Sequence, residues 1–268
     1  RDWRVYVYPD PESGNEATGD VFAMVSRAII NGSVTSGKTP VVEYKAQNAS
    51  TWQTASDVTV SGTKFTATLT GLSGSTTYNY RVTVDGAAGS EQSFTTAGEV
   101  ALENGGFESW YQDGDIYVPN ASGSSFWGTG NPGAASFIGN LTTPTSDAVS
   151  GQAAKLESKN ALIKLGAGNI FTGDFALDGT NGVLQLGRPF TSFPTSLKFQ
   201  YKYTSTTINR IGQDVGSLEN LRGRPDSCQI YIALSDKPEP YEIRTKPSVR
   251  QVFDKNDRNI IAYREFIS

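Results

Sequence analysis

From Asp20 to Thr96 the chain breaks into short runs, VFAMVSRAIING, PVVEYKA, STWQTA, KFTATLTGL, YNYRVTV and EQSFTT, alternating or β-branched and separated by Gly, Asn, Ser and Pro. Successive strand side chains point to opposite faces, so a period-two run can bury one face and wet the other. Short runs of this kind with frequent turn residues are the pattern of an antiparallel sandwich. The composition agrees along the whole chain. With 28 Gly, 11% aromatic and 19% charged residues, it suits short strands and turns better than long amphipathic helices. The expected fold class is therefore all-β. At 268 residues two domains are expected, each large enough for its own core.

What is missing narrows the chemistry. The chain has no histidine, which removes Ser-His-Asp and Cys-His arrangements, the HExxH zinc site and the usual base near neutral pH. Any catalysis must run on carboxylates. The single cysteine, Cys228, opens the run CQIYIAL and reads as a small apolar core residue. The net charge is −4 and no Lys/Arg cluster exceeds two residues, so the electrostatic footprint for nucleic acid or an anionic membrane is lacking. No run of about 18 apolar residues supports direct membrane insertion. The opening RDWRVYVYPD is neither leader nor span, which reads as a mature or trimmed chain.

In the first domain, expected over residues 1–97, Leu72 and Tyr78 stand six residues apart in LTGLSGSTTYNYRV, with Tyr78 opening a strand. Together with Trp52 after Glu43-Tyr44-Lys45 and the closing Ser93-Phe94-Thr95-Thr96, this resembles a fibronectin type III domain over about residues 20–96. The resemblance implies a tyrosine corner, the phenol bonding back to the backbone between sheets. Trp3 to Tyr8 is expected to supply a first strand, and Pro9-Asp10-Pro11 a non-helical link. Nothing in this domain suggests chemistry, and a spacer role follows.

The texture changes at Ala97-Gly98-Glu99-Val100, and a second domain is expected over 98–268. It opens with Asn104-Gly105-Gly106-Phe107-Glu108-Ser109-Trp110 and continues through Phe126-Trp127, Asn131-Pro132-Gly133, AAKLES at 153–158, GAGNIFTGD at 166–174, GRPF at 187–190, KFQYKY at 198–203, CQIYIAL, YEIRT and IIAYRE. In that order the motifs resemble the carbohydrate metabolism domain found in surface and periplasmic proteins of gut anaerobes. The resemblance implies a jelly-roll, galactose-binding-like β-sandwich. It also implies a turn at the paired glycines, Phe107 in the core and an oxygen of Glu108 available to a structural calcium. Two positions depart from the family: Phe193 stands before Pro194 where a basic residue is usual, and Arg264 before Glu265 where glycine is usual. The family also continues into further strands beyond the equivalent of Ser268, so an open C-terminal edge is expected, to be completed by more chain or by a partner strand.

A sugar site needs an aromatic platform and planar hydrogen-bonding groups. Trp110, Tyr111, Trp127 and Asn131 supply these in turn-rich sequence; Trp127 faces ligand or packs in the core, and Trp110 leans to packing. Arg188, before Pro189, sits at a strand end, able to fork onto hydroxyls or a carboxylate or to brace a loop. In KFQYKY, read as a strand, Lys202 faces opposite to Tyr201 and Tyr203. Arg210 and Asp214 lie in an expected long, mobile loop from Thr204 to Asp226. For catalysis the acids to test are Glu108, Asp113, Glu157 and Asp174. A calcium reading rests on Glu108 with Asp113 or Asp115; otherwise no cofactor is expected. The Asn-x-Ser/Thr matches at Asn31, Asn48, Asn120 and Asn140 carry no glycan implication in a bacterial context.

Three functions remain open. The leading expectation is an extracytoplasmic carbohydrate-binding protein on the bacterial cell surface or in the periplasm, lipid-anchored upstream or free, taking oligo- or polysaccharide as partner. The alternatives are a glycoside hydrolase with a carboxylate pair, and an adhesin or assembly subunit with a surface protein partner.

Overall fold

Glycine, proline and polar turns keep the strands short, and the computed structural model shows antiparallel pairing throughout. It describes residues 18–161, 165–190, 192, 194–212 and 215–268; the expected strand Trp3–Tyr8, the Pro9–Pro11 link, Phe193 and Asp214 lie outside the described residues. Two units divide the chain, one running to Val100 and taking in Phe190–Lys198, the other comprising Ala101–Pro189 and Phe199–Ser268. The division at Val100 lies three residues beyond the Ala97 expected from sequence.

The first unit contains β1 (Thr18–Ala23), β2 (Arg27–Ser33), β3 (Val41–Ala46), β4 (Gln53–Thr54), β5 (Asp57–Ser61), β6 (Lys64–Thr70), β7 (Thr77–Val84), β8 (Ala87–Ala88) and β9 (Gln92–Thr95). One sheet has the order β1-β2-β6-β5; the other runs β4-β3-β7-β8, with β9 also on β7. The run VFAMVSRAIING is two strands, because Met24 N–H donates to Arg27 O (2.8 Å) and turns the chain. Alternation sets the core: Tyr78, Tyr80, Val82 and Val84 of β7 point inward, meeting Phe65, Ala67 and Leu69 of β6 and Ile30 of β2. Truncating Ile30, Phe65 or Leu69 to alanine costs roughly 2–5 kcal/mol. The tyrosine corner is present, Ser73 N–H donating to the Tyr78 phenol oxygen at 2.9 Å. Trp52 stands just before β4, between the Lys45 ammonium (4.8 Å) and the Arg81 guanidinium (4.4 Å).

The second unit contains β10 (Tyr111–Asp113), β11 (Ile116–Val118), β12 (Trp127–Thr129), α1 (Asn131–Ile138), β13 (Thr142–Thr145), β14 (Ala153–Leu156), β15 (Lys159–Asn160), β16 (Leu165–Gly166), β17 (Ile170–Asp178), β18 (Asn181–Leu186), β19 (Gln229–Ser235), β20 (Tyr241–Arg244) and β21 (Ile260–Ile267). A four-stranded antiparallel sheet, β12-β17-β18-β20, is accompanied by the ribbons β10–β11, β13–β14, β15–β16 and β19–β21. The all-β class holds, with several antiparallel sheets as a β-sandwich requires.

Helix α1 was not legible as one in the sequence. Pro132 occupies its first turn and Gly139, at φ 77°, ends it, the usual asymmetry of proline at the start and glycine past the end. Gly133 lets the helix approach β17, since a Cβ there would lie 3.0 Å from the Phe175 ring.

Several local expectations change. KFQYKY joins no ladder among the described residues, and Lys202 is an exposed partner of Asp147 (2.6 Å). Residues 204–212 and 215–226 fold against each other, with Asp226 N–H on Thr206 O (2.7 Å), Ile208 N–H on Arg224 O (2.9 Å) and a 3-10 turn at Gly216–Leu221. Cys228 is only half-buried, because it precedes β19 at the ribbon's end and its backbone bonds Ser268. Asn31 and Asn120 are 6% and 1% exposed, which rules out glycan attachment at those two matches.

Candidate functional site

The NGGFESW segment turns as expected, but the left-handed residues are Asn104 (φ 45°) and Phe107 (φ 56°) rather than the glycines. The Asn104 amide makes this tolerable: its Oδ1 accepts Ser109 N–H (3.0 Å) and its Nδ2 donates to Ser109 O and Pro119 O (both 2.9 Å). Phe107 is half-buried against Trp127, ring centres 5.0 Å apart. Trp127 also meets Phe126 edge-on at 5.3 Å, and its indole N–H donates to Glu103 O at 2.7 Å. The buried amide of Asn120 clamps the Trp127 backbone, donating to its carbonyl (2.8 Å) and accepting its N–H (2.9 Å).

Beside this aromatic group lies an open pocket of about 150 Å³, walled by Trp127, Tyr111, Tyr117, Ser125, Phe175 and Asp174 among others. Its floor passes Gly173, where φ is 136° and a Cβ would collide with the Gln185 carbonyl of β18. Only glycine allows β17 to pass this point against β18.

One charged pair sits at the rim. Arg188 follows β18 and forks onto Asp174, Nη1 to Oδ2 at 2.8 Å and Nη2 to Oδ1 at 2.6 Å. Its Nε reaches Ser125 O at 3.2 Å, and Nη2 bonds the same carbonyl. The hydrogen bonds from Arg188 hold the Asp174 carboxyl below its ordinary range, and the same bonds raise the guanidinium above its own. Arg188 has 20% of its side chain exposed, against 60% for Asp174. The arginine is braced and the carboxylate is presented. Such a site offers a ring wall, one ionised acceptor and hydroxyls, with the indole donor already spent.

The family model described as "Putative carbohydrate metabolism domain" matches residues 93–268, more than half of the chain. The chain belongs to this family. The comparison with curated proteins found no match. Among solved structures, the sensor domain of the anti-sigma factor RsgI4 of Pseudobacteroides cellulosolvens is similar. In a short form it is 24% identical over 32% of this chain and 97% of its own, at a TM-score of 0.26. Its solution structure is 26% identical over 31% and 74% at a TM-score of 0.28.

Within this carbohydrate metabolism domain, Trp127 and Tyr111, expected as ligand groups, and Asp174, expected as a candidate acid, line one pocket, and Arg188 joins it through its ion pair with Asp174. Asn131 is a correction. Its side chain is fully enclosed and every polar atom is spent internally, donating to Tyr117 O (2.8 Å) and Thr142 O (2.7 Å) and accepting from Leu141 N–H (2.8 Å) and Thr142 N–H (2.9 Å). Buried amides saturated in this way brace a fold and have nothing left for a ligand.

Trp110 is half-buried with its indole N–H on Phe107 O (2.7 Å), outside the pocket lining. Arg210 donates to Ala161 O (3.1 Å) and approaches Asn160 Oδ1 (3.4 Å), also outside it.

The candidate acids are dispersed. Glu108 accepts Gln152 N–H (2.8 Å), Glu157 lies near Lys155 (3.5 Å) and Lys159 (4.0 Å), and Asp113 closes the exposed β10–β11 hairpin. Among the described residues no three Asp, Glu, His or Cys side chains cluster. A hard cation at Glu108 would have to draw most of its six to eight oxygens from backbone carbonyls, and one Glu108 oxygen accepts Gln152 N–H. Sequence reasoning missed Asn120 and the Ser125 carbonyl; only the glycosylation-like pattern drew attention to Asn120, for an unrelated reason.

Proposed function

We propose that the second unit binds carbohydrate without cleaving it, and that the protein works outside the cytoplasm with the first unit as spacer. The observation that carries this is the pocket in which Trp127 and Tyr111 stand beside the Arg188-braced carboxylate of Asp174. A sugar ring packs its apolar face on an aromatic wall while ionised and planar groups take its hydroxyls. Family membership supports a carbohydrate-related role. The placement outside the cytoplasm rests on the resemblance to surface and periplasmic domains alone.

Hydrolysis receives less support. Asp174 is the single acid lining the pocket, and glycoside hydrolysis needs two, one of them a general acid with a raised pKa. Asp174 is shifted the other way. No helix among the described residues is long and apolar enough to cross a membrane, and the charge balance offers no footprint for nucleic acid.

A glycan array followed by calorimetry tests the reading. Trp127→Ala should weaken binding by about tenfold or more, given that a ring contact contributes roughly 0.5–1.5 kcal/mol beyond its buried area. Unchanged affinity in both Trp127→Ala and Arg188→Ala would overturn the site. Release of reducing ends, abolished by Asp174→Asn, would overturn the non-catalytic role.

A further inference from the structure

We infer that the site does not end at the pocket: the polar face of the β17–β18–β20 sheet continues it and holds several units of a neutral oligosaccharide chain. The inference rests on the carbohydrate-binding reading and adds a ligand class to it.

In register, Asp174 lies opposite Gln185, and Gln185 opposite Glu242; Ala176 lies opposite Val183, and Val183 opposite Arg244. These residues share one face, and their bonds agree. Gln185 Nε2 donates to Glu242 Oε2 (2.7 Å), and Arg244 Nε to Glu242 Oε1 (2.5 Å). Arg244 Nη1 lies 3.7 Å and Lys246 Nζ 3.3 Å from Asp178 Oδ2. By register the row thus passes from the Arg188–Asp174 pair at the pocket rim across Gln185 to Glu242 on the far strand, with buried Val183 beside it. Two strand spacings make this about 10 Å beyond the pocket, more than one sugar ring covers.

The chemistry selects the occupant. Asp174, Asp178 and Glu242 balance Arg188, Arg244 and Lys246, so the face has no net charge with which to attract an acidic or basic polymer. The carboxylates and guanidinium groups are planar, the set is held in place by its own ion pairs, and the five side chains other than Arg188 are still 31–60% exposed. Bonds from Arg244 and Gln185 keep Glu242 ionised, an acceptor for hydroxyls. Small, exposed Ala176 leaves a dip between Asp174 and Asp178. Braced acceptors and donors of both signs suit the vicinal hydroxyls of an uncharged glycan.

The test is affinity electrophoresis of the whole chain in gels cast with a β-glucan, a xylan, a galactomannan or polygalacturonate. Calorimetry with the di- to pentasaccharides of the retarding polymer follows. Wild type should prefer a neutral polymer and gain about tenfold in affinity from disaccharide to pentasaccharide. Gln185→Ala and Glu242→Gln, checked for native circular dichroism, should abolish that gain and leave disaccharide affinity within about twofold. Trp127→Ala should weaken every length. A length dependence that is absent in wild type or intact in both sheet variants overturns the extension while the pocket stands, as does a preference for polygalacturonate. Failure of every glycan to bind removes the pocket reading itself, and the extension with it.

Discussion

Replacing Asn131 with alanine separates a structural from a ligand-binding role. The side chain is fully enclosed, and its amide makes four bonds of 2.7–2.9 Å that tie the β11 carbonyl of Tyr117 to the start of β13. The variant leaves two backbone carbonyls and two backbone N–H groups without partners. Each lost bond is worth about 1 kcal/mol net and a stranded buried group 1–3, so a loss of roughly 3–5 kcal/mol is expected, a large part of the 5–15 kcal/mol that stabilises a domain. Urea unfolding, with exchange of the Leu141 and Thr142 amides as the local probe, measures it; with two units in the chain, their transitions must be fitted separately. Asn131→Asp should do no better, because it retains the acceptors, loses both donated bonds and buries a charge. Below the melting transition, glycan affinity should stay within a few-fold of wild type. A stability loss under about 1 kcal/mol accompanied by lost binding would refute the assignment and return Asn131 to the ligand site.

Tyr78→Phe removes the acceptor for Ser73 N–H and should cost the first unit about 1 kcal/mol, read as a lower urea midpoint; an unchanged midpoint would mean the corner is decorative. Gly173→Ala should prevent native pairing of β17 with β18, since the added carbon meets the Gln185 carbonyl, and native amide protection along β17 would contradict this. Glu265 is held down to about 2 by bonds from Lys255, Tyr263 and Gln229. Its contribution is therefore complete above its ordinary value of 4.5 and is lost as pH falls toward 2. Tyr263, raised to about 12 by burial and by Glu265, contributes below pH 10 and loses its contribution as pH climbs to 12. Glu265→Gln should flatten the acid limb of a midpoint-against-pH curve; an acid limb identical to wild type would refute the pairing.

Period-two alternation in YNYRVTV was enough to predict which side chains of β7 turn inward, because a strand has only two faces and the apolar set occupies one. The tyrosine corner was implied by the fibronectin-like resemblance around Leu72 and Tyr78, and its bond joins residues only five apart, Ser73 and Tyr78, so it depends little on the rest of the chain. KFQYKY joins no ladder among the described residues, but its alternation still sorts side chains, since Phe199 and Tyr201 meet Phe266 together (5.8 and 4.9 Å) while Lys202 pairs with Asp147. Asn131 in a Gly-Pro-rich stretch looked like an exposed loop amide; the carbonyls that capture it, 11 and 14 residues away, are set by the docking of α1 against β11.

Residue types alone excluded histidine chemistry, pointed to an all-β chain in two parts and identified the family, since these depend on composition and on motif order. Tertiary structure decided which groups meet. Asp174 is 14 residues from Arg188, and Arg188 is 63 from the Ser125 carbonyl. The β17–β18 hairpin, through the strained glycine at 173, brings them to one rim. A polar residue in sequence carries donors and acceptors of unknown destination; only the packed chain shows whether they are spent inside, as in Asn131, or left facing solvent, as in Asp174.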